Sequence, residues 1–178
     1  NLGRANDGSY YETQNYAITE SHEPGSTFKL VDLIAVLDDK KADTSTVYDS
    51  KGGRIQYYGR SVKDSNGKGY GKISLARGFE LSSNTILVQS VYDSYKNNPK
   101  QFVDRINSYG LNKPLGLPIK GEGKPVIPQP GTNRWSGVAL PWMAFGYGLS
   151  VTPLQTLTLY NAVANDGVMI KPIFVSEI

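Results

Sequence analysis

The most apolar stretch near the start of the chain follows a proline and a glycine. It runs from Ser26 to about Asp39, and its apolar residues occupy nearly every face of a helical wheel: Phe28, Leu30, Val31, Leu33, Ile34, Ala35, Val36 and Leu37. A helix that is apolar all round is buried inside its domain. Pro24 and Gly25 bring the chain sharply into this helix, so we predict that Ser26 lies in its first turn.

The segments on either side of this helix are predicted to be loop and hairpin. Residues 1–20 are polar and contain several turn formers, which predicts a surface loop. Residues 46–59 alternate strand-forming residues around Gly52-Gly53, a pattern that predicts a β-hairpin. Residues 64–71 are rich in glycine, but no Gly-Lys-Ser/Thr ending follows and no apolar strand precedes them. A plain turn is therefore favoured over a phosphate-binding loop.

Residues 73–95 indicate two short helices with a break at Ser82-Ser83-Asn84. Serine and asparagine prefer helix caps and turns to helix interiors, which places the break there. Residues 98–110 carry apolar side chains at helical spacing, with Pro99 at the start and Gly110 at the end. This pattern predicts a surface helix.

The second half of the chain combines an irregular segment with one well-marked helix. Residues 112–134 hold prolines at 114, 118, 125, 128 and 130, which predicts an extended, irregular path. After it, Thr152 and Gln155 form a capping box around Pro153, and Gly167 marks the end of the helix. No internal repeat and no break in composition divides the chain, so we predict a single domain.

Composition removes several classes of function. The 178 residues carry a net charge of +3, with neither sign gathered into a long block, and this disfavours nucleic acid as a partner. The chain has no cysteine, which excludes thiolate catalysis, disulfides and cysteine-type zinc sites. Its one histidine, His22, cannot build a metal cluster alone and is interpreted as a polar loop residue. A catalytic base, if there is one, is therefore expected to be something other than imidazole.

The sequence pattern does not predict a membrane segment. The apolar run Leu33–Leu37 is far shorter than a membrane span, and no charged and apolar leader opens the sequence. The sequence starts in a polar stretch and stops at "KPIFVSEI", which is typical of the start of a strand. We therefore expect both ends to be cut from a longer protein.

Ser26 and Lys29 are separated by three residues at the start of the apolar helix. On a helix this spacing places the two side chains about 60° apart and about 4.5 Å along the axis, within reach of each other. A serine hydroxyl needs a neighbour that takes its proton before it becomes a good nucleophile. Burial lowers the pKa of a lysine and makes its amine a usable base. The free N–H groups of the helix start can also stabilise an oxyanion. By itself, Ser-x-x-Lys is a common chance pattern, and on this pattern alone a helix cap is favoured over a catalytic role for Ser26.

The break at Ser82-Ser83-Asn84 adds a second hydroxyl and a carboxamide. A hydroxyl at this break can relay a proton to a leaving amine, and an amide can hold both Lys29 and a peptide. Two convergent polar groups favour catalysis more than one motif does.

With these residues in place, the sequence resembles the transpeptidase domain of class B penicillin-binding proteins. The resemblance rests on "EPGSTFK", the downstream "SSN", then "GYGLSVTPLQ" and "NAVANDGVMIKP", and it covers most of the chain, with "YYGRSVKD", "SLARGFELSSN" and "YGLNKPLGLP" in the expected order. It implies an α+β fold of the β-lactamase/transpeptidase type. The chain would be a partial, single transpeptidase domain over residues 1–178, mainly its helical part.

The resemblance implies a role for each motif residue. Ser26 would be the nucleophile that attacks a D-alanyl-D-alanine stem peptide, and Lys29 its general base. Ser82 and Asn84 would position Lys29 and the substrate amide. The implied activity is a D,D-transpeptidase that β-lactams acylate, without metal or cofactor. This fragment is expected to be inactive or impaired.

The resemblance also implies a setting for the complete protein. It would be anchored in the cytoplasmic membrane, with the catalytic domain on the periplasmic or extracellular side and the anchor outside this chain. Other proteins of cell-wall synthesis would be its partners, in cell division or elongation.

One departure from the family pattern stands out. No Lys-Thr-Gly or Lys-Ser-Gly triplet follows Asn84, although the family carries one on an edge strand of its central sheet. We expect this strand to lie beyond Ile178. A class D-like β-lactamase, which also carries Ser-Thr-Phe-Lys, and a β-lactam-binding sensor module remain the alternative interpretations.

Overall fold

The computed structural model describes residues 2–174 of the chain. Within that range it contains helices α1 (Tyr16–Thr19), α2 (Lys29–Asp38), α3 (Leu75–Glu80), α4 (Asn84–Tyr95), α5 (Pro99–Ser108), α6 (Ala139–Met143) and α7 (Pro153–Ala164). The strands are β1 (Leu2–Arg4), β2 (Tyr10–Glu12), β3 (Val47–Asp49), β4 (Arg54–Tyr57), β5 (Arg60–Lys63) and β6 (Lys72–Ser74). The described strands form three antiparallel pairs, β1 with β2, β3 with β6, and β4 with β5. Helix dominates and sheet is sparse, as expected.

Helix α4 lies at the centre of the core. It contacts α2, α3, α5 and α6, and its inward residues are completely buried: Ile86, Leu87, Val88 and Val91. Tyr95, at its end, donates a hydrogen bond to the Ala35 carbonyl of α2 at 2.9 Å. The break before α4 is confirmed, because α3 ends at Glu80 and α4 begins at Asn84.

The apolar helix at residues 26–39 has two parts. Gly25–Phe28 forms a 3₁₀ turn, and the α-helix begins only at Lys29. Val31, Ala35 and Val36 are fully buried, whereas Ile34 is only partly so. Ile34 lines an apolar groove that α7 and the segment after it leave open. The prediction of burial on every face is therefore too strong.

The predicted hairpin at residues 46–59 is wrong in its turn and its pairing. The turn lies at Tyr58-Gly59, where both residues have positive φ, and it joins β4 to β5. Gly52-Gly53 instead belongs to a 3₁₀ turn, and β3 pairs with the later strand β6. A Cβ on Gly53 would lie 2.3 Å from the Gly69 backbone nitrogen. These glycines thus allow two backbone segments to pack closely, which their sequence neighbours did not reveal.

The two ends of the described range differ in how well they were predicted. Residues 1–20 were expected to be a loop, but they contain the short β1–β2 hairpin and α1. The irregular segment at residues 112–134 and the capping box of α7 are confirmed, with Thr152 and Gln155 each bonding to the other's backbone. His22 lies outside the named strands and forms an isolated bridge with Val151. The longest helices in residues 2–174 have 12 residues, and none of them has the length and hydropathy of a membrane span.

Candidate active site

Ser26 lies in the 3₁₀ turn at the N-terminal end of α2. Its side chain is exposed, and its carbonyl accepts a hydrogen bond from the Lys29 backbone N–H. In the part of the chain that the structure describes, the Ser26 hydroxyl makes no hydrogen bond. The hydroxyl is therefore free to meet a ligand at the positive end of the helix dipole.

The turn that carries Ser26 is fixed by close backbone contact with the segment before α7. Gly25, with φ +56°, donates a backbone hydrogen bond to the Gly146 carbonyl at 3.0 Å. A Cβ on Gly146 would lie 2.0 Å from the Gly25 oxygen. Tyr160 of α7 donates its hydroxyl to the Thr27 carbonyl at 2.9 Å. Both neighbours of Ser26 are thus held by residues that are distant in sequence.

Lys29 is only 1% exposed, and its amine faces the break between α3 and α4. Lys29 Nζ donates hydrogen bonds to the Ser82 carbonyl at 2.6 Å, to Ser82 Oγ at 3.0 Å and to Asn84 Oδ1 at 2.6 Å. An ammonium has three N–H donors, so three acceptors satisfy it fully. Of these partners only the Ser82 hydroxyl can also donate a proton, toward the lone pair that a neutral amine presents.

Burial lowers the pKa of Lys29 to about 8, against the opposing charges of Asp32 and Asp64. With this pKa about 9% of the amine is neutral at pH 7, which is about 200-fold more than for an ordinary lysine. The burial of Lys29 and the lowered pKa are those expected from the sequence. That Lys29 acts as a base stays a prediction.

Asp32 lies one turn after Lys29 on the buried face of α2. Its exposure is 0%, and neither carboxylate oxygen has a hydrogen-bond partner among the described residues. Burial raises the pKa of Asp32 well above its usual value, while the Lys29 charge works in the opposite direction. A carboxyl without hydrogen bonds is much less costly to bury when protonated. Asp32 raises the pKa of Lys29 only while the Asp32 carboxyl is ionised. Protonation of Asp32 therefore favours the neutral amine of Lys29.

The Ser82-Ser83-Asn84 break brings its polar atoms to Lys29 by its backbone shape. Ser82 has φ +51°, an uncommon conformation for serine, and this directs its carbonyl to Lys29 Nζ. Ser83 is the N-cap of α4, and its hydroxyl accepts from the Ile86 backbone N–H at 3.2 Å. Asn84 Nδ2 donates to the Lys63 carbonyl at 2.7 Å, which turns Oδ1 toward the amine. The structure thus brings Lys29, Ser82 and Asn84 together, with Ser26 one turn before the lysine.

Three residues around this site were not predicted from the sequence. Asp32 and Asp64 face Lys29 from α2 and from the end of β5, and Gly146 contacts the turn of Ser26. An aspartate within an otherwise apolar helix was a visible signal for Asp32. Asp64 and Gly146 had no such signal, because their importance comes from contacts distant in sequence. Within residues 2–174 no group of three or more His, Cys, Asp or Glu side chains could hold a metal ion.

The geometry agrees with what comparison with known proteins finds. Residues 3–178 match the family described as "Penicillin binding protein transpeptidase domain". The chain therefore belongs to this family, and the class B transpeptidase domain predicted from the sequence is confirmed. It is 30% identical to penicillin-binding protein PbpB of Mycobacterium tuberculosis over 96% of its length. It is 29% identical to peptidoglycan D,D-transpeptidase FtsI of Escherichia coli strain K12 over 93%.

A solved structure extends the likeness to three dimensions. Penicillin-binding protein 3 of Mycobacterium tuberculosis, complexed with aztreonam, matches with a TM-score of 0.77 and 29% identity, over 90% of this chain and 35% of that one. The predicted β-lactamase/transpeptidase-like fold is thereby confirmed. The chain spans about a quarter of the length of the two curated relatives, 26% in each case. That residues 1–178 form a single, truncated domain stays a prediction.

Proposed function

We propose that the complete protein carrying this chain is a peptidoglycan D,D-transpeptidase, and that Ser26, Lys29, Ser82 and Asn84 carry out its acyl transfer. The observation that supports this most is the placement of Lys29 Nζ. It is buried and bonded to Ser82 and Asn84, with Ser26 one turn before it. The family match and the name of the E. coli relative support the same reaction.

The first half of the reaction forms an acyl-enzyme. Ser26 Oγ attacks the carbonyl carbon of the terminal D-alanyl-D-alanine bond while its proton moves to neutral Lys29 Nζ. The N–H groups at the start of α2 lie close to the oxyanion that develops. The carbon–nitrogen bond then breaks, and the departing D-alanine amine takes a proton through the Ser82 hydroxyl. An ester between the peptide and Ser26 remains.

The second half resolves this ester. The amine of another stem peptide attacks the ester carbonyl and loses a proton to Lys29, which is neutral again after the first half. The carbon–oxygen bond breaks, and Ser26 regains its proton, leaving a new peptide bond as the cross-link. Asn84 keeps its Oδ1 on Lys29 Nζ through both steps and so holds the base in place.

The same chemistry accounts for the proposed ligands and location. A β-lactam presents a strained amide to Ser26 and leaves a long-lived ester, and a relative of this chain has been solved as a complex with aztreonam. We place the domain outside the cytoplasmic membrane, where peptidoglycan lies, with the membrane anchor and the partners in wall synthesis outside this chain.

Covalent labelling of the complete protein with a fluorescent penicillin tests the proposal. We expect Ser26→Ala to abolish the labelled band while circular dichroism stays that of the wild type. Ser65→Ala is the matched control, because Ser65 is an exposed serine in the loop after β5, and it should label normally. Label that persists in Ser26→Ala would contradict the proposed nucleophile.

The lifetime of the labelled ester separates the alternatives. A transpeptidase holds the penicilloyl ester for hours, whereas a class D-like β-lactamase hydrolyses it within seconds. A sensor module would keep the ester but would not incorporate a D-amino-acid probe into wall material. Loss of the ester within seconds, or absence of incorporation by the complete protein in cells, would overturn the transpeptidase assignment.

A further inference from the structure

Asp64 is a buried carboxylate that holds the N-terminal turn of α4. It follows β5 directly and is 4% exposed. Its Oδ1 accepts from the Thr85 backbone N–H and from Ser83 Oγ, both at 3.0 Å, and its Oδ2 accepts from Thr85 Oγ1 at 2.8 Å. Charge-assisted hydrogen bonds of this kind are about twice as strong as neutral ones, and the helix dipole adds to them. Asp64 therefore ties the end of β5 to the start of α4.

The residue before Asp64 holds the same turn from another direction. The Lys63 carbonyl accepts from Asn84 Nδ2 at 2.7 Å, while Asn84 Oδ1 accepts from Lys29 Nζ at 2.6 Å. A carboxamide carries its donor and its acceptor on opposite sides, so the bond to Lys63 fixes where the acceptor faces. Two consecutive residues at the end of β5 thus control both the backbone of the turn and the Asn84 side chain.

The glycine-rich stretch at residues 64–71 keeps Asp64 in place. The Asp64 backbone N–H donates to the Gly53 carbonyl at 2.9 Å, and its carbonyl accepts from the Gly67 N–H at 3.0 Å. Gly53 and Gly69 pack so closely that a Cβ on Gly69 would lie 2.3 Å from the Gly53 nitrogen. The stretch therefore closes over the 3₁₀ turn and leaves the Asp64 backbone little room to shift.

We propose that Asp64 is a positioning residue for acyl transfer: it holds the Ser82–Asn84 turn so that three acceptors converge on Lys29 Nζ. Ser82 needs this support because it is held at φ +51°, outside the regions that serine prefers. Asp64 itself bonds to Ser83 and Thr85 and makes no hydrogen bond to the lysine within the described range. The inference rests on the proposed function, because it concerns the base of that reaction.

Asp64 affects Lys29 in two opposite ways. Its position holds the turn that directs the acceptors to Lys29, which favours catalysis, whereas its charge favours the protonated amine. The Asp64 charge raises the pKa of Lys29, and so does Asp32, which lies on α2 with Lys29, when Asp32 is ionised. Asp64→Asn removes the charge but keeps an oxygen for the Thr85 N–H, and the Thr85 hydroxyl can turn to accept from the new amide. Asp64→Ala removes both. The two variants therefore separate the electrostatic effect from the positional effect.

The experiment measures the second-order rate of acylation by a fluorescent penicillin, against pH, for the complete protein corrected for its folded fraction. We expect Asp64→Ala to lower the plateau rate at high pH by about tenfold to a hundredfold, since small misplacements of a catalytic group cost this much. Asp64→Asn should keep the plateau rate within about threefold of the wild-type rate and should move the midpoint of the pH–rate curve to lower pH. A folded Asp64→Ala with the wild-type plateau, or an Asp64→Asn that loses as much as Asp64→Ala, would overturn the proposal.

Asp39→Ala is the matched control for a general loss of stability. The Asp39 side chain is 4% exposed and binds Arg105 and the Tyr95 hydroxyl, but it lies ten residues beyond Lys29 along the chain, about 15 Å away at a helical rise. Asp39→Ala should destabilise the fold and leave both the plateau rate and the midpoint of the pH–rate curve unchanged.

If Asp64→Ala does not fold, Thr85→Val removes one hydrogen bond to Asp64, and an unchanged plateau rate in that variant would overturn the proposal. Wild-type labelling that depends on Ser26 keeps the proposed function intact in either case.

Discussion

The pH dependence of acylation is the sharpest test of Lys29 as the base. Burial lowers the pKa of Lys29 to about 8, and only the neutral amine can accept the Ser26 proton. The reactive form is therefore present above the pKa and is lost as the pH falls through it. Between pH 7 and pH 9 the neutral fraction rises from about 9% to about 91%, so the rate should increase about tenfold and then level off.

An unperturbed lysine would give a different curve. With a pKa of about 10.4 the rate would rise about a hundredfold over the same interval and would show no plateau. The two cases therefore differ in both slope and shape. The assay is the second-order rate of fluorescent penicillin labelling of the complete protein, from pH 6 to pH 9.5 at constant ionic strength, with the chemical stability of the reagent measured at each pH.

Lys29→Arg supplies the companion measurement. Arginine keeps a cation that can donate to Ser82 and Asn84, but its pKa lies so far above that of lysine that less than about 0.1% of it is neutral at pH 9. The acylation rate should fall by about a thousandfold if the base is lost while the charge remains. A rate that does not depend on pH, a curve that rises through pH 9.5 without levelling, or a folded Lys29→Arg that still acylates would each refute the reasoning.

Two further variants probe residues that the structure adds to the site. Asp32→Val removes a buried carboxyl that has no hydrogen-bond partner among residues 2–174, so the free energy of unfolding should rise by about 1–3 kcal/mol. Because the folded pKa of Asp32 is raised, the unfavourable contribution of this carboxyl to wild-type stability grows as pH rises. The gain of Asp32→Val over the wild type in urea denaturation should therefore be larger at pH 8 than at pH 4, and an equal gain at both would contradict this. Gly146→Ala would push a Cβ to 2.0 Å from the Gly25 oxygen and should slow penicillin acylation at least about tenfold. Gly148 also has positive φ, but among the described residues a Cβ there would meet just Trp142 Cβ, at 3.9 Å. Equal acylation rates for Gly146→Ala and Gly148→Ala would therefore count against the contact between Gly146 and Gly25.

Elements defined by local pattern were predicted well. The capping box around Thr152 and Gln155 was confirmed, because each residue bonds to backbone within a single turn. The break at Ser82-Ser83-Asn84 was confirmed for the same reason, since Ser83 caps the helix that follows it. Such features depend on neighbours a few residues apart, which a sequence displays directly.

Elements that depend on long-range contacts were not predicted well from the sequence. The Gly52-Gly53 pair has the composition of a hairpin turn, but Gly53 serves the close approach of Gly69 from a later loop. Strand β3 pairs with β6, more than twenty residues away in sequence, rather than with the adjacent β4. No local pattern encodes which of several short strands will meet.

The same division holds for the candidate site. The sequence by itself determined the chemical groups, a serine and a lysine one turn apart, and a hydroxyl and an amide at a helix break. Only the tertiary structure decided that the lysine amine is buried against that break and that Asp64, in the loop after β5, accepts hydrogen bonds from Ser83 and Thr85 there. The reason is physical: reactive groups are properties of residues, whereas the pKa and orientation of a side chain depend on the solvent it loses and the partners it gains on folding.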